Sequence, residues 1–258
     1  MTSNAHGFIW YELITSDPSA AGAFYSAVIG WTIEDSGQTD KDYRQLKMGE
    51  AFVGGLMAIP PGASEMGMRP VWLGYISVDD VPSALTRLKA AGGSEQMPPT
   101  DIPGVGCFAM VTDPQGAAFY IMSPIGEGPS PSFKPGVPGH GGWNELHTSD
   151  WEGALAFYSS QFGWAKVDAM DMGPMGTYLL FNTGAGDAVG GMMTDTNTPR
   201  PMWSYYICVE DIDAAAARLT AAGGAILFGP SAVPGGGWII NATDPQGAMF
   251  SVTGPRKT

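Results

Sequence analysis

The sequence predicts an α+β protein with two tandem domains, each made of two βαβββ units that form a curled mixed sheet around a cavity. One observation is a long internal repeat, because the pattern from Trp72 to Pro124 returns from Trp203 to Pro255 at an offset of 131 residues. A second is the run from Thr112 to Ala117, which recurs letter for letter from Thr243 to Ala248. A period of this length indicates homologous domains, since solenoid repeats span roughly 20–50 residues.

The first βαβββ unit begins with an alternating strand over residues 8–15. Asp17-Pro18 then predicts a helix N-cap followed by proline at the first helical position. The helix from Ser19 to Ile29 carries apolar residues at helical spacing and is expected to end at Gly30. Further strands of the first domain are predicted near residues 43–48, 53–59, 71–78, 106–112 and 117–122.

The second βαβββ unit follows the same plan. Asp79 or Asp80 is expected to cap a helix over residues 81–91, which stops at Gly92-Gly93. The segment Asp113-Pro114-Gln115-Gly116 predicts a type I turn, because proline stands at its second position and glycine at its fourth. This turn would join the last two strands as a hairpin, and the second copy has the same pattern.

A segment rich in Gly, Pro and Ser separates the two copies. Its composition predicts an interdomain linker over residues 125–141, between a first domain at residues 1–124 and a second at residues 142–258. His140 in this linker and His6 before the first strand both lie in glycine-rich sequence, so their side chains are expected to be solvated.

Charge and composition exclude several classes of function. The net charge of −13 and the isoelectric point near 4.4 argue against binding to nucleic acid or to an anionic membrane surface. The apolar runs are too short to span a bilayer, and the N-terminus shows no secretory signal. Cys107 and Cys208 stand at non-equivalent points of the two copies, which argues against a disulfide framework. A reduced, cytoplasmic compartment is therefore expected.

Several of these motifs occur together in a known superfamily. They are Ser16-Asp17 before the first helix, Phe24-Tyr25 and Gly30-Trp31 towards its end, Val78-Asp79-Asp80 at a strand end, and the Asp-Pro-x-Gly hairpin. In this combination the sequence resembles the vicinal oxygen chelate superfamily, which includes glyoxalase I, extradiol dioxygenases and bleomycin resistance proteins. The resemblance covers both copies, and it is nearest to a group of two-domain actinobacterial proteins labelled hydroxylase or glyoxalase-like.

The resemblance also implies where a metal would bind, because enzymes of this superfamily hold one divalent metal per cavity through His, Glu or Gln on four inner strands. Carried over by position, these sites fall in the first copy on Trp10, Leu73, Tyr120 and the pair Gly54-Gly55. In the second copy they fall on Trp143, Ser204, Ser251 and the pair Gly190-Gly191. These residues are not a competent ligand set. No cofactor is therefore predicted, and a divalent metal at an improvised site is the alternative.

One candidate site lies on the first strand of each copy, where every second side chain points to the same face. In the second copy this rule groups Trp143, Glu145 and His147, so Glu145 and His147 predict a catalytic pair or part of a metal site. In the first copy, Ile14 takes the place of His147. The alternative is that the strand carboxylates are structural and that His147 only lines the cavity.

A second group of candidates is mostly aromatic. Side chains with the same inward parity predict a surface that binds a flat organic ligand, whereas ordinary core filling is the alternative. The residues expected to contact a ligand are Trp10, Glu12, Tyr75, Tyr120, Trp143 and Tyr206.

These features lead to three hypotheses. The first is a metal-independent protein that binds a small aromatic or polyketide-like molecule in one cavity per domain. The second is a metal-dependent lyase or dioxygenase-type enzyme with a divergent site around Glu145 and His147. The third is a repeat that only forms an interaction surface. Because two domains in one chain already supply the pairing that single-domain relatives obtain by dimerising, either a monomer or a homodimer is expected.

Overall fold

The computed structural model describes residues 6–37, 42–126, 128–196 and 198–257. Its first half contains β1 (Phe8–Thr15), α1 (Pro18–Ile29), β2 (Thr32–Asp35), β3 (Tyr43–Met48), β4 (Ala51–Ala58), β5 (Val71–Ser77), α2 (Val81–Ala90), β6 (Ser94–Ile102), β7 (Gly106–Thr112) and β8 (Ala118–Pro124). The second half contains β9 (Gly141–Thr148), α3 (Trp151–Phe162), β10 (Ala165–Asp171), a 3₁₀ turn (Gly173–Met175), β11 (Thr177–Asn182), β12 (Gly190–Thr194), β13 (Met202–Cys208), α4 (Ile212–Ala221), β14 (Ala225–Ala232), β15 (Trp238–Thr243) and β16 (Met249–Gly254).

Each half of the chain contributes one mixed sheet of eight strands. The strand order is β2-β3-β4-β1-β5-β8-β7-β6 in the first sheet and β10-β11-β12-β9-β13-β16-β15-β14 in the second. Strands β1 and β4, β5 and β8, β9 and β12, and β13 and β16 pair in parallel. The α+β class with a mixed sheet in each copy is therefore confirmed. None of the described helices is long and apolar enough to cross a membrane.

Contact density groups the chain into two compact bodies. The Trp164 body consists of Met1–Ile9, Gly74–Pro129 and Trp143–Trp203. The Trp31 body consists of Trp10–Leu73, Ser130–Gly142 and Ser204–Thr258. The domain boundaries at residues 1–124 and 142–258 follow the sequence repeat instead, and they stay a prediction.

The helix ends form where the capping residues predict them. The Asp17 side chain accepts hydrogen bonds from the backbone N–H groups of Ser19 and Ala20, and Gly30 ends the helix with φ of 95°. This left-handed conformation favours glycine because it has no Cβ. Of the two aspartates predicted to cap α2, Asp80 is the N-cap.

A buried aromatic cluster and one carboxylate form the core of the Trp164 body. Trp164 stacks with Tyr158, at 4.9 Å between ring centroids, and with Phe181, at 4.6 Å. The Tyr158 hydroxyl accepts a hydrogen bond from Trp203 Nε1 at 2.9 Å and donates one to Asp113 Oδ2 at 3.1 Å. The repeated Phe-Tyr, Gly-Trp and Asp-Pro-x-Gly motifs thus meet at one place in the core.

The Trp31 body contains the matching chain of hydrogen bonds. Trp72 Nε1 donates to the Tyr25 hydroxyl at 2.8 Å, and this hydroxyl donates to Asp244 Oδ2 at 3.1 Å. Burial raises the pKa of the Asp244 carboxyl, although its hydrogen bonds oppose that effect. The same set of hydrogen bonds occurs in both bodies, so we infer that these repeated residues stabilise the fold.

Asp113 also forms the predicted hairpin turn. Its Oδ1 atom accepts hydrogen bonds from the backbone N–H groups of Gln115, Gly116 and Ala117, at 3.0, 2.8 and 2.9 Å. The Gly116 N–H also bonds the Asp113 carbonyl at 3.0 Å, which closes the turn. One carboxylate therefore both shapes the hairpin and joins it to the aromatic core.

The expectation of solvated histidines in the glycine-rich segments is wrong. His140 is 5% exposed, and its Nδ1 atom lies 2.6 Å from the Pro131 carbonyl. The predicted linker around it is packed, because the Gly139 carbonyl accepts a hydrogen bond from Trp31 Nε1 at 2.7 Å. His6 is half-buried, with Nδ1 3.0 Å from the Ser77 carbonyl. Backbone partners, which composition cannot reveal, order both segments.

Candidate functional site

A chain of hydrogen bonds joins three side chains of β9 to a tyrosine of β11 in the Trp164 body. Trp143 Nε1 donates to the Tyr178 hydroxyl at 2.8 Å, and this hydroxyl donates to Glu145 Oε2 at 2.6 Å. The other oxygen, Glu145 Oε1, lies 2.9 Å from His147 Nε2. Alternation along β9 places Trp143, Glu145 and His147 on one face, so the two predicted catalytic residues are in contact.

Asp195, which directly follows β12, completes the cluster. Its Oδ2 atom lies 3.1 Å from His147 Nδ1 and also accepts a hydrogen bond from the Thr198 hydroxyl. The backbone N–H of Asp195 bonds the Thr148 carbonyl at 2.9 Å, which fixes the residue beside the end of β9. Tyr178 and Asp195 are the two members of this cluster that the sequence analysis missed.

His147 lies between two carboxylates, one at each ring nitrogen. Only the imidazolium form can donate from both nitrogens at once. Burial lowers the pKa of His147, but the hydrogen bonds and charges of Glu145 and Asp195 outweigh it and raise the pKa above the ordinary value of 6.5. In the imidazolium form, and with both carboxylates ionised, the cluster holds one positive and two negative charges.

We expect the NMR titration of the His147 ring protons to have its midpoint above pH 6.5. Because the pKa is raised by folding, the stabilisation from these ion pairs is fully present below about pH 6.5 and is lost as the pH rises through the folded-state pKa. Asp195→Asn should lower the midpoint, since it removes the charge of one of the two carboxylates that contact His147. A midpoint below pH 6.5 in the wild-type protein would contradict the ionised cluster.

Glycine at one strand position allows the Tyr178 ring to lie against the sheet. Gly191 of β12 pairs in register with Glu145 of β9, and a Cβ at Gly191 would clash with the outer end of the Tyr178 side chain. The resemblance assigns a metal ligand to the pair Gly190-Gly191. The tyrosine ring therefore fills the space into which such a ligand side chain would extend.

The residues at the other implied ligand positions do not fit a metal either. Trp143 offers only an indole N–H, which is a donor and cannot ligate. In the Trp31 body, the Ser204 and Ser251 hydroxyls hydrogen-bond to each other at 3.1 Å. Across the described ranges, no group of three or more His, Cys, Asp or Glu side chains is arranged to hold a metal ion. The superfamily's metal does not fit these residues.

Gly191→Ala should displace the Tyr178 ring, because the added methyl group cannot share its space. We expect a loss of about 1–3 kcal/mol in the free energy of unfolding, because the displaced ring would give up its hydrogen bonds to Trp143 and Glu145. Urea denaturation would measure the loss. Gly237→Ala is the matched control, since a Cβ there makes ordinary contacts of 3.6 Å or more. Equal stabilities of the two variants would contradict the close packing.

The first copy has a related arrangement in the Trp31 body. Trp10 Nε1 donates to the Tyr43 hydroxyl at 3.0 Å, and a Cβ at Gly55 would clash with that tyrosine. Glu12 pairs in register with Gly55 and is buried. The same tyrosine-over-glycine packing thus occurs in both copies, whereas Ile14 stands in place of the histidine.

The remaining predicted ligand residues lie in two groups. Tyr75 and Tyr120 are register partners in the Trp164 body, and their rings stack at 4.3 Å between centroids. Both are buried, at 4% and 5% exposure, so their rings mainly fill the core beside the sheet. Tyr206 lies in the Trp31 body, where its hydroxyl accepts a hydrogen bond from Asn241 at 3.3 Å.

Comparison with known proteins agrees with the fold and the repeat. The sequence model of the Glyoxalase/Bleomycin resistance protein/Dioxygenase superfamily matches residues 7–121 and again residues 142–252. Among solved structures, the Mn(II)-bound glyoxalase from Novosphingobium aromaticivorans is similar in fold, with a TM-score of 0.68 and 19% identity. That similarity covers 98% of this chain and 83% of the glyoxalase.

Two sequence relatives match almost the whole length. "Putative glyoxylase CFP32" of Mycobacterium tuberculosis is 36% identical over 253 residues, which cover 95% of this chain and 94% of the relative. "Anthracycline biosynthesis protein DnrV" of Streptomyces peucetius is 31% identical over 258 residues, which cover 94% and 91%. With the two family matches, the two mixed sheets and these relatives, the chain belongs to the glyoxalase/bleomycin resistance protein/dioxygenase superfamily.

Proposed function

We propose that the protein is a metal-independent binding protein for flat aromatic organic molecules. One observation carries this proposal: in each copy a tyrosine side chain packs directly against a strand glycine. Tyr178 packs against Gly191, and Tyr43 packs against Gly55. At the position of a metal ligand, both copies present a phenol ring that an indole holds by a hydrogen bond. Such a pair offers aromatic surface for stacking in place of metal coordination.

Exposure and the relatives give further support. Trp10, Tyr43, Trp143 and Tyr178 are all half-buried, so their rings are partly accessible. The relative from Streptomyces peucetius is named for anthracycline biosynthesis, and anthracyclines contain a flat polycyclic aromatic chromophore. We therefore infer an aromatic, polyketide-like ligand class, bound at the Trp143–Tyr178 surface of the second copy and the Trp10–Tyr43 surface of the first.

The other candidate, a metal-dependent lyase or dioxygenase-type enzyme in the second copy, would use Glu145 and His147. The geometry favours it less, because the two nitrogens of His147 face different carboxylates and do not converge with them on one point. His147 is also poorly placed to act as a general base, since each of its ring nitrogens is already engaged by a carboxylate.

A binding titration with and without metal tests the proposal. An anthraquinone aglycone, followed by its own absorbance and fluorescence, should bind the untagged protein with equal affinity before and after treatment with a chelator. Trp143→Ala should weaken binding about tenfold, because stacking of a ligand ring on one aromatic side chain contributes about 1–3 kcal/mol. Trp238→Ala is the matched control, since this half-buried indole packs against Arg256.

Two results would refute the proposal. One is a stoichiometric transition metal in the purified protein, measured by plasma mass spectrometry, whose removal abolishes aglycone binding. The other is equal affinity of the wild-type protein and Trp143→Ala. A turnover that depends on added metal and is lost in His147→Ala would favour the enzyme instead.

A further inference from the structure

The two copies can be compared residue by residue at the candidate site, because their strand registers match. Glu12 pairs with Gly55 in the first copy, and Glu145 pairs with Gly191 in the second. The backbone agrees at the strand ends, where the Ile59 N–H bonds the Thr15 carbonyl at 2.8 Å and the Asp195 N–H bonds the Thr148 carbonyl at 2.9 Å. Ile59 and Asp195 therefore occupy equivalent positions, as do Ile14 and His147.

Two isoleucine positions of the first copy thus carry polar residues in the second copy. Ile14 and Ile59 of the first copy correspond to His147 and Asp195, which lie 3.1 Å apart. The remaining positions keep their residue types, with Glu12 matched by Glu145 and a tyrosine over glycine in each copy. The copies differ here by a coupled change from two isoleucines to an ion pair.

Stability does not account for this change. Taking two charges out of water offsets their attraction, and replacing a buried ion pair by apolar residues of similar volume is often neutral or stabilising. The first copy shows that the same strands form with isoleucines at both places. The histidine and aspartate are therefore candidates for recognition or chemistry at the surface beside them.

The hydrogen bonds of the cluster decide what kind of ligand it suits. Its N–H and O–H groups all point to partners within the cluster, from Trp143 through Tyr178 and His147 to the carboxylates. A ligand therefore meets mainly acceptor oxygens and aromatic rings. A carboxylate can accept about four hydrogen bonds, so a ligand hydroxyl can join those already present. The net negative charge disfavours an anionic ligand.

The cluster is accessible enough to be touched by a ligand. The exposed fractions of the His147, Asp195 and Glu145 side chains are 19%, 18% and 11%. We propose that His147 and Asp195 are specificity-determining residues that make the second copy select flat aromatic ligands carrying a neutral hydroxyl donor. The first copy, with two isoleucines, should not make this selection. The inference rests on the proposed aromatic binding and names the ligand class for one of its two surfaces.

A pair of probes that differ only in a hydroxyl hydrogen tests the proposal. 2-Naphthol carries a phenolic donor and 2-methoxynaphthalene does not, and both are uncharged at pH 7. Calorimetric titration of the wild-type protein should show about tenfold tighter binding of 2-naphthol, as expected for one hydrogen bond to a charged group. In His147→Ile/Asp195→Ile the ratio of the two affinities should fall to about one.

A conservative change at the equivalent positions of the first copy is the control. Ile14→Val/Ile59→Val should keep the tenfold ratio, and circular dichroism should show that both double variants are folded. If the wild-type protein binds both probes equally, or if the double isoleucine variant keeps the preference, the selection by His147 and Asp195 is refuted while aromatic binding stands. If neither probe binds, both the selection and the proposed aromatic binding are refuted.

Discussion

The double variant His147→Ile/Asp195→Ile is expected to be as stable as the wild-type protein or more stable, although either change alone should destabilise it. His147→Ile leaves Glu145 and Asp195 as neighbouring, mostly buried carboxylates with no cation between them. Asp195→Ile leaves one nitrogen of an imidazolium without its carboxylate. We expect each single change to lower the free energy of unfolding by about 2–4 kcal/mol.

The double change removes the imidazolium and the Asp195 carboxylate together. It leaves Glu145 on one strand face with an isoleucine, as Glu12 and Ile14 share a face in the first copy. Urea denaturation at pH 7 of the four proteins in this cycle would give a coupling energy of about 4 kcal/mol or more, since each single change costs about 2–4 kcal/mol and the double change none. The exposed pair Lys89–Glu95 is the control, because a cycle of alanine changes there should give less than about 1 kcal/mol. A double variant less stable than either single variant would mean that the ion pair is kept for stability rather than for recognition.

The strands with a regular apolar pattern could be predicted from the sequence. The bounds of β1 and β7 agree with the predicted ranges 8–15 and 106–112, since both strands bury part of their side chains. The outer strands β2 and β6 were not located. Most residues of β6 are exposed and two are prolines, so neither alternation nor strand propensity marks it.

The candidate site could be predicted only where it follows one strand. Alternation along β9 was enough to group Glu145 with His147, because side chains two residues apart on a strand share a face whatever the rest of the fold is. Tyr178 lies in β11 and Asp195 directly follows β12, and the spacing of these residues along the chain differs between the copies. The repeat therefore does not align them without the strand register. Asp195 could have been found from one signal: Ile59 changes to Asp195 where Ile14 changes to His147. This joint change can be recognised only when the pairing of β4 with β1 and of β12 with β9 is known.

The recurrence of the Thr-Asp-Pro-Gln-Gly-Ala run has a structural explanation that the sequence alone did not supply. Its aspartate is buried in each copy and bonds a tyrosine from a helix that lies far away in the chain. The residue types of the turn predict the hairpin. Only the tertiary structure shows that the second carboxylate oxygen of Asp113 and of Asp244 accepts a hydrogen bond from a tyrosine. Repeated residues with this role hold the fold, whereas the residues that differ between the copies are the ones to test for recognition.

Asp113→Ala is expected to cause a large loss of stability although it lies outside the candidate site. The alanine removes the carboxylate that accepts from the backbone N–H groups of Gln115 and Ala117 and from the Tyr158 hydroxyl. The Gly116 N–H keeps only its bond to the backbone carbonyl of residue 113. Each buried donor left unsatisfied costs about 1–3 kcal/mol, so we expect a loss of about 3 kcal/mol or more in the free energy of unfolding. Asp80→Ala is the matched control, because it removes one exposed helix cap and should cost about 1 kcal/mol.

Asp113→Asn separates the acceptor from the charge. Burial raises the pKa of the Asp113 carboxyl, and the hydrogen bonds from the hairpin and Tyr158 only partly oppose it. A raised pKa means that the folded protein favours the protonated group, so the ionised carboxylate opposes folding at neutral pH. The asparagine keeps an acceptor for the hairpin without this charge, but its amide N–H cannot accept from Tyr158. The free energy of unfolding of Asp113→Asn should therefore lie between the values for the wild type and Asp113→Ala. If the asparagine variant is as unstable as the alanine variant, the hydrogen bond to Tyr158 contributes more to stability than the turn does.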